Sequence, residues 1–431
     1  RVPIRQNGIK EIKYMRIVKK GVNNMPKVLV IGGGAAGMMA AITAKRKGAN
    51  VILLERNNRV GKKILATGNG RCNYTNVNLN IANYHGENPK FAYSTLSQFG
   101  VVETMDFFEQ LGITPAIEDN GKVFPLSFQS SSILDVLRFE MEDLGIEVLT
   151  DSFVKEIEKG DNFVLILNNG KKVYGDKVIL ATGGNAAPNT GSDGYGYKLA
   201  QSLGHTIVPI FPGLVQLKLE GDIFKQIDGV KVLGKASLYR EGQLIKEDIG
   251  DVLFTNYGIS GPPILQISRT ALQYLNKGDN VEIGVSIIHT RTEEELYEYL
   301  KYRFSFMPKK TIEIGLIGFI NKRLILPILR EVNINKDKQI AHLTNEEIRQ
   351  ISNILTDWRF NIIGSKSFKD AQVTAGGVNT NEINPSTMES KLVKGLFFAG
   401  EIVDIDGDCG GFNLQWAWSS GYVAGENASL G

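Results

Sequence analysis

The chain has 431 residues, 42% of them apolar and 22% charged, with a formal net charge of +3. That length allows two or three domains with a substantial core, and no apolar run reaches the ~18 residues of a membrane span. Two cysteines, Cys72 and Cys409, exclude a disulfide framework and a four-ligand zinc set, and their scarcity suits a cytoplasmic, reducing setting.

Residues 1–24 carry Arg1, Arg5, Lys10, Lys13, Arg16, Lys19 and Lys20 against Glu11 alone, a net of +6 that leaves the rest of the chain at −3. A basic leader suits nucleic acid, an anionic membrane surface or organellar targeting. Termini are readily dispensable, so a disordered extension is the preferred reading, with the folded part opening at Met25. The leader lacks the apolar centre of a secretory signal.

Lys27 to Ile31 reads as a buried strand running into G-x-G-x-x-G, with Gly32, Gly34 and Gly37 at the three positions. Gly32 permits the tight turn, Gly34 lets the backbone approach a diphosphate, and Gly37 lets the next helix pack against the strand. That helix, Ala35 to Lys47, offers free N–H groups and a partial positive charge to the anion. An apolar strand, Val51 to Leu54, ends in Glu55, near where a ribose-binding carboxylate belongs. Helices are expected over 91–112 and 130–144. A meander follows (153–157, 163–167 and 171–174), turned by Asn168-Asn169-Gly170. The strand 177–181 ends in Thr182-Gly183-Gly184. This order is that of a large FAD-binding fold.

From 206 to 290 short β-like segments are broken by Gly, Pro and Asn, which predicts a compact β domain. From 291 to 345 the pattern turns helical. Thr292 with Glu295, and Thr344 with Glu347, fit the capping box. Residues 346–370 return through the β domain, and 371–431 close the nucleotide domain begun at 25–205. The expected architecture is α/β: a Rossmann-like domain with an inserted β-barrel domain and a small helical subdomain.

Two further stretches carry chemistry. Residues 61–76 form a loop rich in Gly, Asn and cations just beyond Glu55. Lys62, Lys63 and Arg71 can offset phosphate charge, Arg with paired hydrogen bonds. In residues 400–415, Glu401 follows a strand end and can accept bonds from ribityl hydroxyls, and Gly410 and Gly411 allow close backbone approach. A helix starting near Asn413 aims its positive end at a flavin's N1–O2 edge, favouring the reduced form. Asp404, Asp406 and Asp408 alternate as in a calcium loop, but the bidentate Glu of an EF-hand is missing.

Taken together, Val-Ile-Gly-Gly-Gly-Ala-Ala-Gly, Thr-Gly-Asn-Gly-Arg-Cys-Asn-Tyr-Thr-Asn, Ala-Thr-Gly-Gly, the 254–262 and 374–378 segments and the 400–415 stretch resemble one bacterial flavoprotein family. It is the family labelled NAD(FAD)-utilising dehydrogenases, similar to aminoacetone oxidase and to a bile-acid-type flavin reductase. The resemblance spans roughly 25–430. It implies non-covalent FAD, with its diphosphate at Gly32, Gly34, Ala35, Ala36 and Gly37 and its adenosine end at Glu55, Arg56 and the Val154 backbone. It puts the ribityl–flavin part against Lys62, Lys63, Gly70, Arg71, Cys72 and Asn73 and against Gly400, Glu401, Asp406, Gly411, Asn413, Leu414 and Gln415, with Thr182, Gly183 and Gly184 as further cofactor-binding candidates. Arg71 and Asn73 are the catalytic candidates. At Cys409 the family more often carries Thr, which argues against a family-wide role for that thiol.

The expected activity is hydride transfer between flavin N5 and a small organic substrate, with NAD(P)H a transient donor because no second G-x-G-x-x-G occurs. An aminoacetone-type amine oxidase releasing peroxide, a nucleic-acid-binding flavoprotein using the basic tail, and a flavin scaffold without turnover are the alternatives. The body's net −3 speaks against nucleic acid. Cys72 and Cys409 lack the C-x-x-C spacing of a redox pair. His85, His205, His289 and His342 share no motif, and Trp416 and Trp418 are expected in the core. No metal and no obligate protein partner are expected.

Overall fold

A computed structural model describes residues 25–118 and 120–430. Five parallel strands form one sheet in the order Leu396–Phe398, Lys177–Leu180, Lys27–Ile31, Asn50–Leu54 and Glu147–Leu149. The central strands are near-continuous apolar runs because both faces are covered. On one face the helix Ala35–Arg46 is buried from Ala36 to Ala44, so its sequence is apolar around most of its circumference. The last helix, Phe412–Ala428, crosses it with Gly421 and Gly425 set directly against the carbonyl oxygens of Ala36 and Ala40. A Cβ at either glycine would collide with backbone. On the other face a meander (Val154–Lys159, Phe163–Leu167 and Lys172–Gly175) packs Gly175 against Leu29.

The expected helix over 91–112 is two helices, Phe91–Gln98 and Val101–Gln110. The break falls at Gly100, whose N–H donates to the Glu103 carboxylate at 2.9 Å. That capping bond starts a new helix rather than continuing the old one.

The strands Ile207–Gly213 and Val373–Val378 pair antiparallel and carry the chain out to a second body and back. There six strands close a barrel in the order Leu217–Leu219, Gly258–Ser260, Gln243–Thr255, Lys231–Arg240, Val281–Ser286 and Trp358–Ser365. Between the last two strands lie the helices Glu293–Ser305, Ile312–Leu316, Lys322–Glu331 and Asn345–Thr356. Thr292 and Thr344 close capping boxes with Glu295 and Glu347. Two helices, the short Phe224–Ile227 and the long Pro262–Leu275, fall where only β structure is expected; the long one lies beside the cavity. Its signal is Gly261-Pro262-Pro263: proline suits the first helical turn, where its missing N–H costs nothing.

Candidate active site

The carboxyl ends of the parallel strands, the two bridging strands and the start of Pro262–Leu275 enclose an elongated cavity of about 660 Å³. At one end Gly32 takes φ +106° and lies against the Ala181 carbonyl, with no room for a Cβ. Gly37 sits likewise against the Gly32 carbonyl. Gly34 differs: nothing lies within 4 Å of where its Cβ would be, so its open side faces the cavity that it lines with Ala35 and Ala36. The helix behind it has no side-chain cap, which leaves its first N–H groups for an anion.

Glu55 is buried beside this turn. One carboxylate oxygen accepts the Gly33 N–H, and the other accepts the backbone N–H and side-chain amide of Asn57, all at 2.8 Å. Arg56 forms an ion pair with Asp193 at 2.6 Å and lies over the Phe153 ring at 4.7 Å, and Phe153 in turn meets Tyr195. Val154 lines the cavity next to this aromatic corner.

Midway, Lys63 donates to Glu401 at 2.7 Å and to the Ala186 carbonyl at 3.3 Å. The second Glu401 oxygen accepts the Thr374 N–H at 2.7 Å. Lys62 reaches Asn57 at 3.2 Å. Thr182, Gly183 and Gly400 complete this stretch. The Thr182 hydroxyl is buried without a hydrogen-bond partner.

At the far end Arg71 is paired with Glu118 at 2.9 Å and lies over the Phe124 ring at 4.3 Å. Asn73 lines the cavity with a buried, unpartnered side-chain oxygen. The loop 407–413 is closed by Asn413, which bonds the Gly407 N–H and carbonyl at 2.8 Å each. Gly411, Asn413 and Leu414 line the cavity where the uncapped helix Phe412–Ala428 begins. Burial pushes the Asp408 carboxyl up, but His85 at 2.9 Å, Lys246 at 3.5 Å and Asn83 outweigh it and hold the group below its ordinary range. Beside it on the wall, the Cys409 thiol is pushed up, chiefly by burial against the pull of Lys122.

Six expected contacts fall outside the wall: Gly37, Gly70, Cys72, Gly184, Asp406 and Gln415. Gly37 packs beneath the turn, and Gly184 packs against Thr374. Gly70 holds a positive φ on a turn. Cys72 is fully buried, and that burial pushes its thiol up to about 12. Asp406 spends its carboxylate on Arg269. Gln415 is buried and bonded to Thr75, Thr104 and Ser419. Sequence reasoning did not assign Asn57, Phe124, Phe153, Tyr195, Pro262 or Leu265 to the site. Only Gly261-Pro262-Pro263 carried a local signal; the others reach the wall through tertiary packing. His205 is fully engaged by Glu382 and Ser390 and serves packing.

The open face of Gly34, the uncapped helix start, and the orphaned oxygens of Asn73 and Thr182 suit a long dinucleotide with hydroxyl and N–H groups. Such a cavity at the strand ends of a Rossmann-type domain belongs to an FAD-dependent oxidoreductase. A family model described as HI0933-like protein Rossmann domain matches residues 26–427, and the chain belongs to that family. A 3-dehydro-bile acid delta(4,6)-reductase of Clostridium scindens is 38% identical over 407 residues, covering 94% of this chain and 99% of the relative. A ribosomal RNA dihydrouridine synthase of Escherichia coli is 31% identical over 401 residues, covering 93% and 97%. A solved 3-ketosteroid-delta4-(5alpha)-dehydrogenase from Rhodococcus jostii has 16% identity and a TM-score of 0.46, covering 95% of this chain and 98% of that one. No described helix is long and apolar enough to cross a membrane.

Proposed function

We propose that the protein saturates a carbon–carbon double bond conjugated to a carbonyl, using FAD held in the cavity and NAD(P)H as a transient donor. A 3-oxo-4,6-diene steroid and a uracil ring share that grouping, so one chemistry accounts for both relatives' printed activities. The observation that carries the reading is the far end of the cavity, where donors and an uncapped helix start converge on an apolar wall.

The Gly34–Ala36 N–H groups hold the diphosphate, and Glu55, braced by Gly33 and Asn57, takes the adenosine ribose. Thr182 and Asn73 give their orphaned oxygens to the middle and the flavin end. FAD bound there supplies a hydride at N5. The start of Phe412–Ala428 favours negative charge on the N1–O2 edge. The substrate carbonyl, which gains negative charge on reduction, is met by Arg71, kept in place by Glu118 and Phe124. The Cys409 thiol stands on the wall at this end and provides the proton that completes saturation. Pro262 and Leu265 form the apolar side of the substrate space.

The test is anaerobic titration of the yellow protein with NADH and NADPH, followed by a cyclic enone. Loss of flavin colour with the donor and its return with the enone, together with the saturated ketone, is the expected result. Colour loss with aminoacetone and peroxide release in air, without enone reduction, would overturn the proposal in favour of an amine oxidase.

A further inference from the structure

The small sheet that carries Phe124 also brings a lysine to the cavity. Its middle strand, Lys122–Pro125, pairs antiparallel with Thr75–Asn76 on one side and with Pro115–Ile117 on the other. Side chains alternate along a strand, so Lys122 and Phe124 share one side and Val123 takes the other. Val123 is buried in the core, whereas Lys122 and Phe124 both line the cavity. The Lys122 carbonyl accepts the Glu118 N–H at 2.9 Å. Strand register therefore holds this half-buried lysine on the wall.

The other cations at this end are matched by carboxylates. Arg71 is paired with Glu118 at 2.9 Å, Lys246 with Asp408 at 3.5 Å and Arg269 with Asp406 at 2.8 Å. Lys122 forms no ion pair among the described residues. Burial chiefly raises the Cys409 thiol and Lys122 opposes that shift, so the ammonium lies within electrostatic reach of the proton source. Asp248 acts on the same thiol with the opposite sign but does not line the cavity. An unmatched ammonium on a wall shared with an aromatic ring is best stabilised by an anion that arrives with a ligand. The cofactor's diphosphate is not that anion: the N–H groups that suit it are at Gly34–Ala36, at the opposite end of the cavity.

We propose that Lys122 receives an acid group carried by the substrate, a carboxylate or a phosphate, and so selects acid-bearing enones over neutral ones with the same reacting bond. The proposal rests on the enone reduction proposed above and adds the charge of the substrate to it. The ammonium meets the acid group by a charge-assisted hydrogen bond, while the conjugated bond lies over the flavin.

The test uses a cyclohexenone carrying a butanoate side chain and its methyl ester, which differ in charge and not in the reacting bond. Each is titrated into the oxidised, FAD-loaded protein, read as a shift of the flavin band. Each is then mixed with the NAD(P)H-reduced protein, read as the return of colour. The parent is expected to bind and reduce the butanoate roughly ten- to hundredfold better than the ester. Lys122→Met is expected to erase that preference, and Lys122→Arg to keep most of it. A parent that does not distinguish the two compounds overturns the proposal, as does an equal loss on both in Lys122→Met. A greater loss of flavin reduction by NADPH than by NADH in Lys122→Met would assign the lysine to the donor's extra phosphate and also overturn it. Binding to the oxidised protein needs no turnover, so a failure of enone reduction alone would count against the reaction and not against the selection of an anion.

Discussion

Replacing Asp406 by Asn removes the negative half of a pair that fastens the barrel's helix Pro262–Leu275 to the loop bordering the cavity. The Arg269 Nε donates to one Asp406 oxygen at 2.8 Å and a terminal nitrogen donates to the other at 3.2 Å. The side chains are 11% and 1% exposed. Removing one partner leaves a guanidinium with little access to water, which costs about 3–5 kcal/mol, against about 0–1 kcal/mol for an exposed pair. The reciprocal change, Arg269→Met, strands a buried carboxylate close to Asp404 and should cost a similar amount. The double variant Arg269→Met/Asp406→Leu should cost much less than the sum of the singles, because the desolvation penalty disappears with the charges. Urea unfolding of the FAD-loaded protein, compared as a double-mutant cycle with unchanged m values, measures this. A cost below about 1 kcal/mol for Asp406→Asn, or a double variant as unstable as the two singles combined, would refute the reasoning from burial. The same helix also accepts the Cys409 N–H on Gln266 at 2.8 Å, so a loosened pair should also shift the flavin absorption band.

Burial pushes the Asp404 carboxyl up to about 7, with Asp406 adding to the effect. The folded state then keeps this proton to higher pH than the unfolded chain, so stability from this group falls between about pH 4 and pH 7, by about 4 kcal/mol in total. Asp404→Asn should flatten that slope in unfolding measured from pH 4 to 8, and an unchanged slope would assign it to other groups. Gly425→Ala should destabilise by about 1–3 kcal/mol, because its methyl meets the Ala40 carbonyl; thermal unfolding reads this. Glu55→Ala should weaken FAD retention by one to two orders of magnitude on dialysis, through loss of two charge-assisted bonds, with the protein still folded by circular dichroism. Cys409→Ala should lower enone turnover by about 10²-fold or more while leaving flavin reduction by NAD(P)H intact; equal turnover would move the proton source elsewhere.

The first half of the cavity is legible in the sequence because its parts are local. A strand, a glycine turn and a helix follow one another within a few residues, and Glu55 comes at the end of the next strand. The capping boxes at Thr292 and Thr344 are legible for the same reason. Gln415 shows the limit of the method. It sits in a glycine-rich stretch that does reach the cavity, but one turn into a helix its side chain rotates inward to Thr75 and Thr104. Motif membership cannot distinguish the face of a helix that lines a cavity from the face that packs against a neighbour.

At the far end the motifs name residues that do line the cavity, among them Arg71, Asn73, Gly411, Asn413 and Leu414, but not their arrangement, which is assembled where separately folded parts meet. Arg71 lies in the glycine-rich loop, but its position is set by Glu118 and Phe124, from a small sheet that follows. The loop 406–413 comes from the end of the chain, and the helix that holds it by Gln266 and Arg269 comes from the barrel. None of these contacts has a sequence period. The arrangement follows a division of labour: the diphosphate needs only backbone N–H groups and can be held by one local unit, whereas a substrate lying over the flavin needs a wall that the cofactor's own domain does not supply. Variation in the barrel helix and in residues 406–413 should therefore change the substrate, while variation around Gly32 and Glu55 should change only how firmly FAD is held.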